Sequence, residues 1–141
     1  MAKQSHGAFW DDLIEDLKDP EFLRAYVVES VRIATVDRIM NELNDARVAA
    51  GLSKAAVARA IGSNPDAIRR LLTAGQVNPT LGTLAEIAAV LGMRIALEPL
   101  SDEAKATVTA PLLEGGHPDP AALAGRLERV RADSSDDLLC A

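Results

Sequence analysis

Glycine and proline cut the middle of this chain into short pieces. Gly51, Gly62, Pro65, Gly75, Pro79 and Gly92 punctuate it, and between them apolar residues recur at spacings of three and four. Proline removes a backbone donor and glycine favours helix ends, so the pattern predicts several short helices joined by tight turns. Ser53 caps the first, with Lys54 at its first position and Val57, Ala58 and Ile61 on its inward face. Gly62 and Ser63 make a turn. Asn64, Pro65 and Asp66 then combine a cap, a proline at the first helical position and an acid in the first turn. Ile68, Leu71 and Leu72 face inward behind them. A loop over 74–79 follows, and Thr80 caps a third helix carrying Leu81, Leu84, Ile87, Ala88 and Leu91.

The unit over 53–72 is therefore helix, glycine turn, helix, with small apolar residues beside the turn. Short helices of this kind cross steeply, and the second presents an outer face that fits a major groove about 12 Å wide. Its N-terminal turn approaches base edges. On that face stand Asn64, Pro65, Asp66, Ala67, Arg69 and Thr73, with Arg70 beside the apolar stripe. Arg69 is the principal base-reading candidate. Its bland alternatives are a solvated arginine or an intrahelical pair with Asp66. Arg70 can reach a phosphate, or can pack through its stem. Ser53 and Lys54 begin the first helix, where a phosphate can approach; Arg59 is a weaker phosphate candidate. Gln76 and Asn78 are polar loop groups.

Around this middle lie less punctuated flanks. The polar residues 1–7 read as a disordered arm. Phe9, Trp10, Leu13, Ile14 and Leu17 share helical spacing, with Asp11, Asp12, Glu15 and Asp16 opposite. Asp19 and Pro20 open a stretch free of proline and glycine as far as Ala50, either one long helix or two with a soft break at the β-branched Val31, Ile33 and Thr35. Trp10 and Tyr26 are read as fastening these N-terminal helices to the domain, the alternative being a partner-binding anchor. Residues 94–100 alternate polar and apolar and predict one short strand, which needs a hairpin partner, an N-terminal segment or the same strand of another subunit. Residues 101–118 read as a linker. Asp119 and Pro120 open a thin-striped helix to about Ala132, and 133–141 read as a frayed tail.

Composition limits the function classes. With 141 residues, 48% hydrophobic but only 3% aromatic, the chain suits one modest all-helical domain with appendages. The lone cysteine, Cys140, excludes an internal disulfide framework and a cysteine metal site. His6 and His117 lie in polar or Pro/Gly-rich surroundings and read as solvated residues. No glycine-rich phosphate loop, nucleophile cluster or metal set is visible, so neither catalysis nor a cofactor is expected. No stretch has the apolarity of a signal peptide or membrane span, and a cytoplasmic protein is expected. The formal charge is −6, but residues 36–99 carry seven Lys/Arg against six Asp/Glu; the acidic excess sits in the two ends. The middle is compatible with a polyanion, though long-range steering is weak.

Residues 43–93 resemble the Cro/C1-type, or XRE, helix-turn-helix family. The resemblance rests on Arg47, Gly51-Leu52-Ser53, Val57-Ala58, Ile61-Gly62, Ile68, Arg70, Asn78-Pro79-Thr80, Leu84, Ile87-Ala88 and Leu91-Gly92. The flanks, residues 17–22 and 93–100, are similar to antitoxin members encoded beside ribonuclease toxins, nearest the HigA-like group. The resemblance implies an all-α, lambda-repressor-like bundle with an N-terminal helical extension and one short C-terminal strand. It also implies a homodimeric regulator of double-stranded DNA that represses its own operon and has a toxin partner. The chain departs from the family pattern at Ser63, where Val is common, and at Lys54 and Pro65, where Gln is common. Pro65 offers no polar contact, and Asp66 accepts only from a donor such as the cytosine amine. The resemblance leaves the partner of Arg47 open, since Ala55 and Ala56 stand where the family often places an acid. These departures motivate an alternative, a protein-interaction module on the same scaffold. The expected organisation is an arm and short helix over 1–19, a helical extension over 20–42, the helix-turn-helix domain over 43–93, the strand over 94–100, and a linker with an acidic, mostly disordered tail over 101–141.

Overall fold

A computed structural model describes residues 7–73 and 78–132. The expectations for 1–6, including His6, for Gln76 in the loop, and for the tail with Cys140 lie outside the described residues. The elements are α1 (Gly7–Asp16), α2 (Pro20–Ala49), α3 (Lys54–Ala60), α4 (Pro65–Thr73), α5 (Leu81–Val90), α6 (Asp102–Ala104), a π-helical turn (Lys105–Thr109), α7 (Ala110–Glu114) and α8 (Pro120–Ala132). The chain divides into two compact units, one built from 35–97 and the other from both ends, up to residue 34 and from residue 98 onward. The single domain with appendages expected from length is thus two small cores.

The central unit holds the second half of α2 with α3, α4 and α5. Leu43, Val57, Ala58, Ile68, Leu84, Ile87 and Ala88 are buried together, with Ile39, Met40, Leu52, Ile61 and Ile95 packed against them. Its helix ends follow the sequence signals. Ser53 Oγ accepts from Ala56 N at 3.0 Å and Thr80 Oγ1 from Thr83 N at 3.1 Å. At the turn, Gly62 has φ +68°, a left-handed conformation that costs a residue with a Cβ about 1–2 kcal/mol. This lets Ser63 N donate to Ala58 O at 2.9 Å, closing the end of α3.

The terminal unit joins α1 and the first half of α2 to α6–α8. Leu13, Leu17, Leu23, Val27, Val108, Leu123, Ala124 and Leu127 form its core. Trp10 and Tyr26 pack on this core, beside residues of the C-terminal segment, and so help fasten the two ends of the chain together. Tyr26 stacks with Phe22 at 5.9 Å between ring centroids and lies beneath Arg131, whose guanidinium carbon is 4.3 Å from the ring centre. Arg131 Nε also donates to the buried Ser30 hydroxyl at 2.8 Å, and that hydroxyl donates to Tyr26 O at 2.8 Å.

Three expectations are corrected. No strand forms at 94–100: among the described residues the backbone of 94–97 makes no hydrogen bond. The alternation is present, but a strand needs an edge to pair with, and every described element of the central unit is a helix. The linker expected over 101–118 is largely helical. Ser101 caps α6 by accepting from Ala104 N at 3.1 Å. The π turn precedes Pro111, a residue with no N–H to continue a regular ladder. The C-terminal helix is no marginal element: Leu123, Ala124, Leu127 and Val130 are all buried. Asp119 Oδ1 accepts from Ala122 N at 3.1 Å and caps it. His117 is half-buried and takes part in the same turn, its Nδ1 accepting from Asp119 N at 3.0 Å. α2 is one continuous helix, and the division between units falls at Ala34 and Thr35, in the β-branched stretch.

Candidate nucleic-acid interface

Everything that could read a duplex in the central unit depends on how α4 is held. Its sequence alternates one buried anchor, Ile68, with half-buried Leu71 and Leu72; Pro65, Asp66, Ala67, Arg69, Arg70 and Thr73 are all exposed. Burial of the anchor against α3 leaves that polar set as a continuous solvent face.

The predicted site residues fall into separate roles. Asn64 and Pro65 build the start of α4. Asn64 Oδ1 accepts from Asp66 N at 2.7 Å and from Ala67 N at 3.3 Å, leaving that oxygen committed to the cap. Pro65 occupies the first helical position, where its missing donor leaves nothing unsatisfied. Ser53 is likewise a cap, its oxygen spent on Ala56 N. These residues shape the face, while the Ser53 hydroxyl proton and the Asn64 amide NH2 are not used by the caps.

Lys54 and Thr73 are brought together across nineteen positions of sequence. Lys54 Nζ donates to Thr73 Oγ1 at 2.5 Å, tying the start of α3 to the end of α4. The ammonium keeps further donors for a phosphate. No local pattern announces this pair, because the contact exists only once the helices cross.

Arg69 pairs with Asp66 one helical turn earlier, and both side chains remain more than half exposed. Asp66 therefore holds the guanidinium on the α4 surface while adding a negative charge there. Arg70 is exposed and makes no hydrogen bond or ion pair among the described residues, and the same holds for Arg59 on α3. Neither side chain is packed away: both guanidinium groups stand in solvent on the surface of the helical pair.

Arg47 finds its partner in the backbone. Its NH1 donates to Leu52 O at 2.8 Å, and Nε and NH2 donate to Asn44 Oδ1 at 3.2 and 3.0 Å. The side chain clamps the turn between α2 and α3 and fixes where α3 begins. A carbonyl does here what an acid at Ala55 or Ala56 would otherwise do, and such a partner leaves no mark in the side-chain sequence.

Among the described residues no group of three or more His, Cys, Asp or Glu converges as a metal site, and no helix is long and apolar enough to cross a membrane. Comparison with curated proteins and with solved structures returns no match. Residues 41–99 match the family model for a helix-turn-helix domain, and the match falls on the unit just described.

Proposed function

We propose that this protein is a sequence-specific regulator that binds double-stranded DNA as a homodimer, with α4 as its recognition helix. The observation that carries this reading is the exposed polar face of α4, held by Ile68 and the Asn64 cap and bearing Arg69, Arg70 and Thr73 together. Arg69 contacts a base edge, guanine offering the best match to its fork. Lys54, Arg59 and Arg70 meet phosphates, and Thr73 holds Lys54 in place. Asp66 accepts from a cytosine amine when Arg69 turns to a base. Dimerisation spaces two such helices about 34 Å apart on a palindromic operator.

Binding-site selection from random duplex tests this directly. The expected result is enrichment of a palindrome with half-sites about one helical turn apart. Arg69→Ala weakens binding by about 1–3 kcal/mol and relaxes preference at one base step. No enrichment at low salt would overturn the proposal.

The finer assignment is an autoregulating cytoplasmic antitoxin of the XRE class, HigA-like, repressing its own promoter and binding a small ribonuclease toxin. Its support is the similarity of residues 17–22 and 93–100 to such proteins. Co-purification with the product of an adjacent short reading frame, and relief of that product's toxicity, are the expected results. The second reading is a protein-interaction module without DNA readout, favoured by the Asp66 carboxylate that occupies Arg69. Under it, Arg69→Ala leaves every DNA property unchanged.

A further inference from the structure

The segment 94–100 has the pattern of a strand, and among the described residues no strand pairs with it. Ile95 is packed against the central core, and Leu97, two residues on, is 99% exposed. In a strand these positions share a face, so the apolar side that begins on the core runs off it at Leu97. The backbone of 94–97 makes no hydrogen bond among the described residues. Arg94 and Glu98 flank this stretch, both exposed and both without an ion pair among the described residues.

We propose that residues 94–98 are the dimer interface, forming an antiparallel strand pair with the same residues of a second copy, centred on Ala96. This goes beyond the proposed function by naming the interface, and it rests on the homodimer in that reading but not on DNA readout.

The occupant follows from self-complementarity. With Ala96 on the two-fold axis, Ile95 lies opposite Leu97 of the other copy, and Leu97 opposite its Ile95. Arg94 lies opposite Glu98, and Glu98 opposite Arg94. Every cross-strand pair is then either apolar with apolar or positive with negative, and the smallest side chain sits at the axis. A shift by one residue in the sum of paired positions sets Leu97 against Ala96 and breaks both ion pairs. A two-fold interface requires a patch that complements itself, and this one does so in a single register. An isolated two-stranded ribbon is marginal in water. Here Ile95 anchors each strand to a helical core, which supplies the backing that such a ribbon lacks.

Sedimentation of the full chain without DNA, over a range of concentrations, tests the proposal. A dimer is expected, with Leu97→Asp shifting it to monomer while far-ultraviolet circular dichroism stays unchanged. Arg94→Glu and Glu98→Arg each place like charges opposite one another at both ends of the ribbon, and each weakens dimerisation by about tenfold. The double variant Arg94→Glu/Glu98→Arg restores it, and so does mixing the two single variants, which then form a heterodimer. In a Cys140→Ser background, Ala96→Cys cross-links to itself on mild oxidation. A monomer at tens of micromolar, or a dimer indifferent to Leu97→Asp and to both charge reversals, overturns the interface. Either outcome leaves site selection by α4 to be judged separately, since a monomer still shows base preference at low salt.

Discussion

The central and terminal units use the same materials in different ways. Each has a small core of Leu, Ile, Val and Ala, and each caps its helices with Ser, Thr, Asn or Asp. The central unit draws all its core from residues 35–97, so its contacts are mostly local. The terminal unit joins Leu13, Leu17, Leu23 and Val27 to Val108, Leu123, Ala124 and Leu127, across the whole length of the central one. A core assembled from distant pieces carries a larger loop-closure cost and depends more heavily on each side chain that bridges them.

The largest expected effect comes from cutting that bridge. Leu127→Ala removes a fully buried side chain from α8 and destabilises the terminal unit by about 2–5 kcal/mol. Ile87→Ala, equally buried in the central unit, costs a similar amount there. Hydrogen exchange separates the two. Leu127→Ala is expected to strip protection from 13–27 and 123–130 while 57–68 keeps it. Equal loss in both units would merge them into one cooperative body and break the comparison.

This difference also governs what was legible in the residues alone. In the central unit the decisive interactions lie within a turn of one another. Ser53 with Ala56, Asn64 with Asp66, and the glycine turn at 62 all leave a mark in a short window, and α3, α4 and α5 are readable from them. In the terminal unit, Leu123, Leu127 and Val130 form a thin stripe that looks marginal until Leu13 and Leu23 are beside it. Small and acidic residues over 101–118 read as a linker because Ala104, Val108 and Pro111 are too few to announce a buried face. α2 hides its continuity in a related way. Leu23, Val27, Ser30 and Ala34 follow one helical stripe, Ile39 and Leu43 another, and no single period connects them. At the candidate site, the α4 face is legible from spacing. The Lys54–Thr73 tie and Arg47's carbonyl partner are not, because one needs helices already crossed and the other is backbone.

Glycines in the same backbone conformation sharpen the contrast at smaller magnitude. Gly62 has φ +68° and open space where a Cβ would stand; Gly115 in the terminal unit has φ +76°, and a Cβ there would lie 2.9 Å from the Arg24 guanidinium. Arg24 in turn donates from Nε to Leu112 O at 2.9 Å and from NH2 to Leu113 O at 3.3 Å, closing the end of α7. Gly62→Ala is expected to cost about 1 kcal/mol from backbone strain alone. Gly115→Ala costs about 2 kcal/mol, because Arg24 must also leave its carbonyls. Urea titration of both variants checks the order. Equal costs would mean that Arg24 contributes nothing to α7.

Arginine clamps come next. Arg47→Ala removes a half-buried guanidinium from Leu52 O and is expected to cost about 1–2 kcal/mol. Arg24→Ala, at an exposed site, costs about 0.5–1 kcal/mol. The more telling readout for Arg47 is DNA affinity, which falls beyond what lost stability explains, since the clamp sets the position of α3 and Lys54.

Exposed ion pairs give the smallest stability effects and the clearest functional contrast. Lys18 and Glu15 pair at 3.1 Å in the terminal unit, and Arg69 and Asp66 pair at the same helical spacing on α4. Exposed pairs of this kind are screened by water, so Glu15→Gln and Asp66→Asn each change stability by about 0.5 kcal/mol or less. Their effects on DNA separate completely if α4 faces a duplex. Glu15→Gln leaves binding unchanged. Asp66→Asn removes a negative charge from the reading face and releases Arg69, so affinity for non-specific duplex rises by roughly threefold to tenfold at low salt, with the gain shrinking as salt is added. Fluorescence anisotropy across a salt series measures both variants at once. If Asp66→Asn behaves like Glu15→Gln, α4 does not meet phosphates, and its polar face belongs to a protein partner instead.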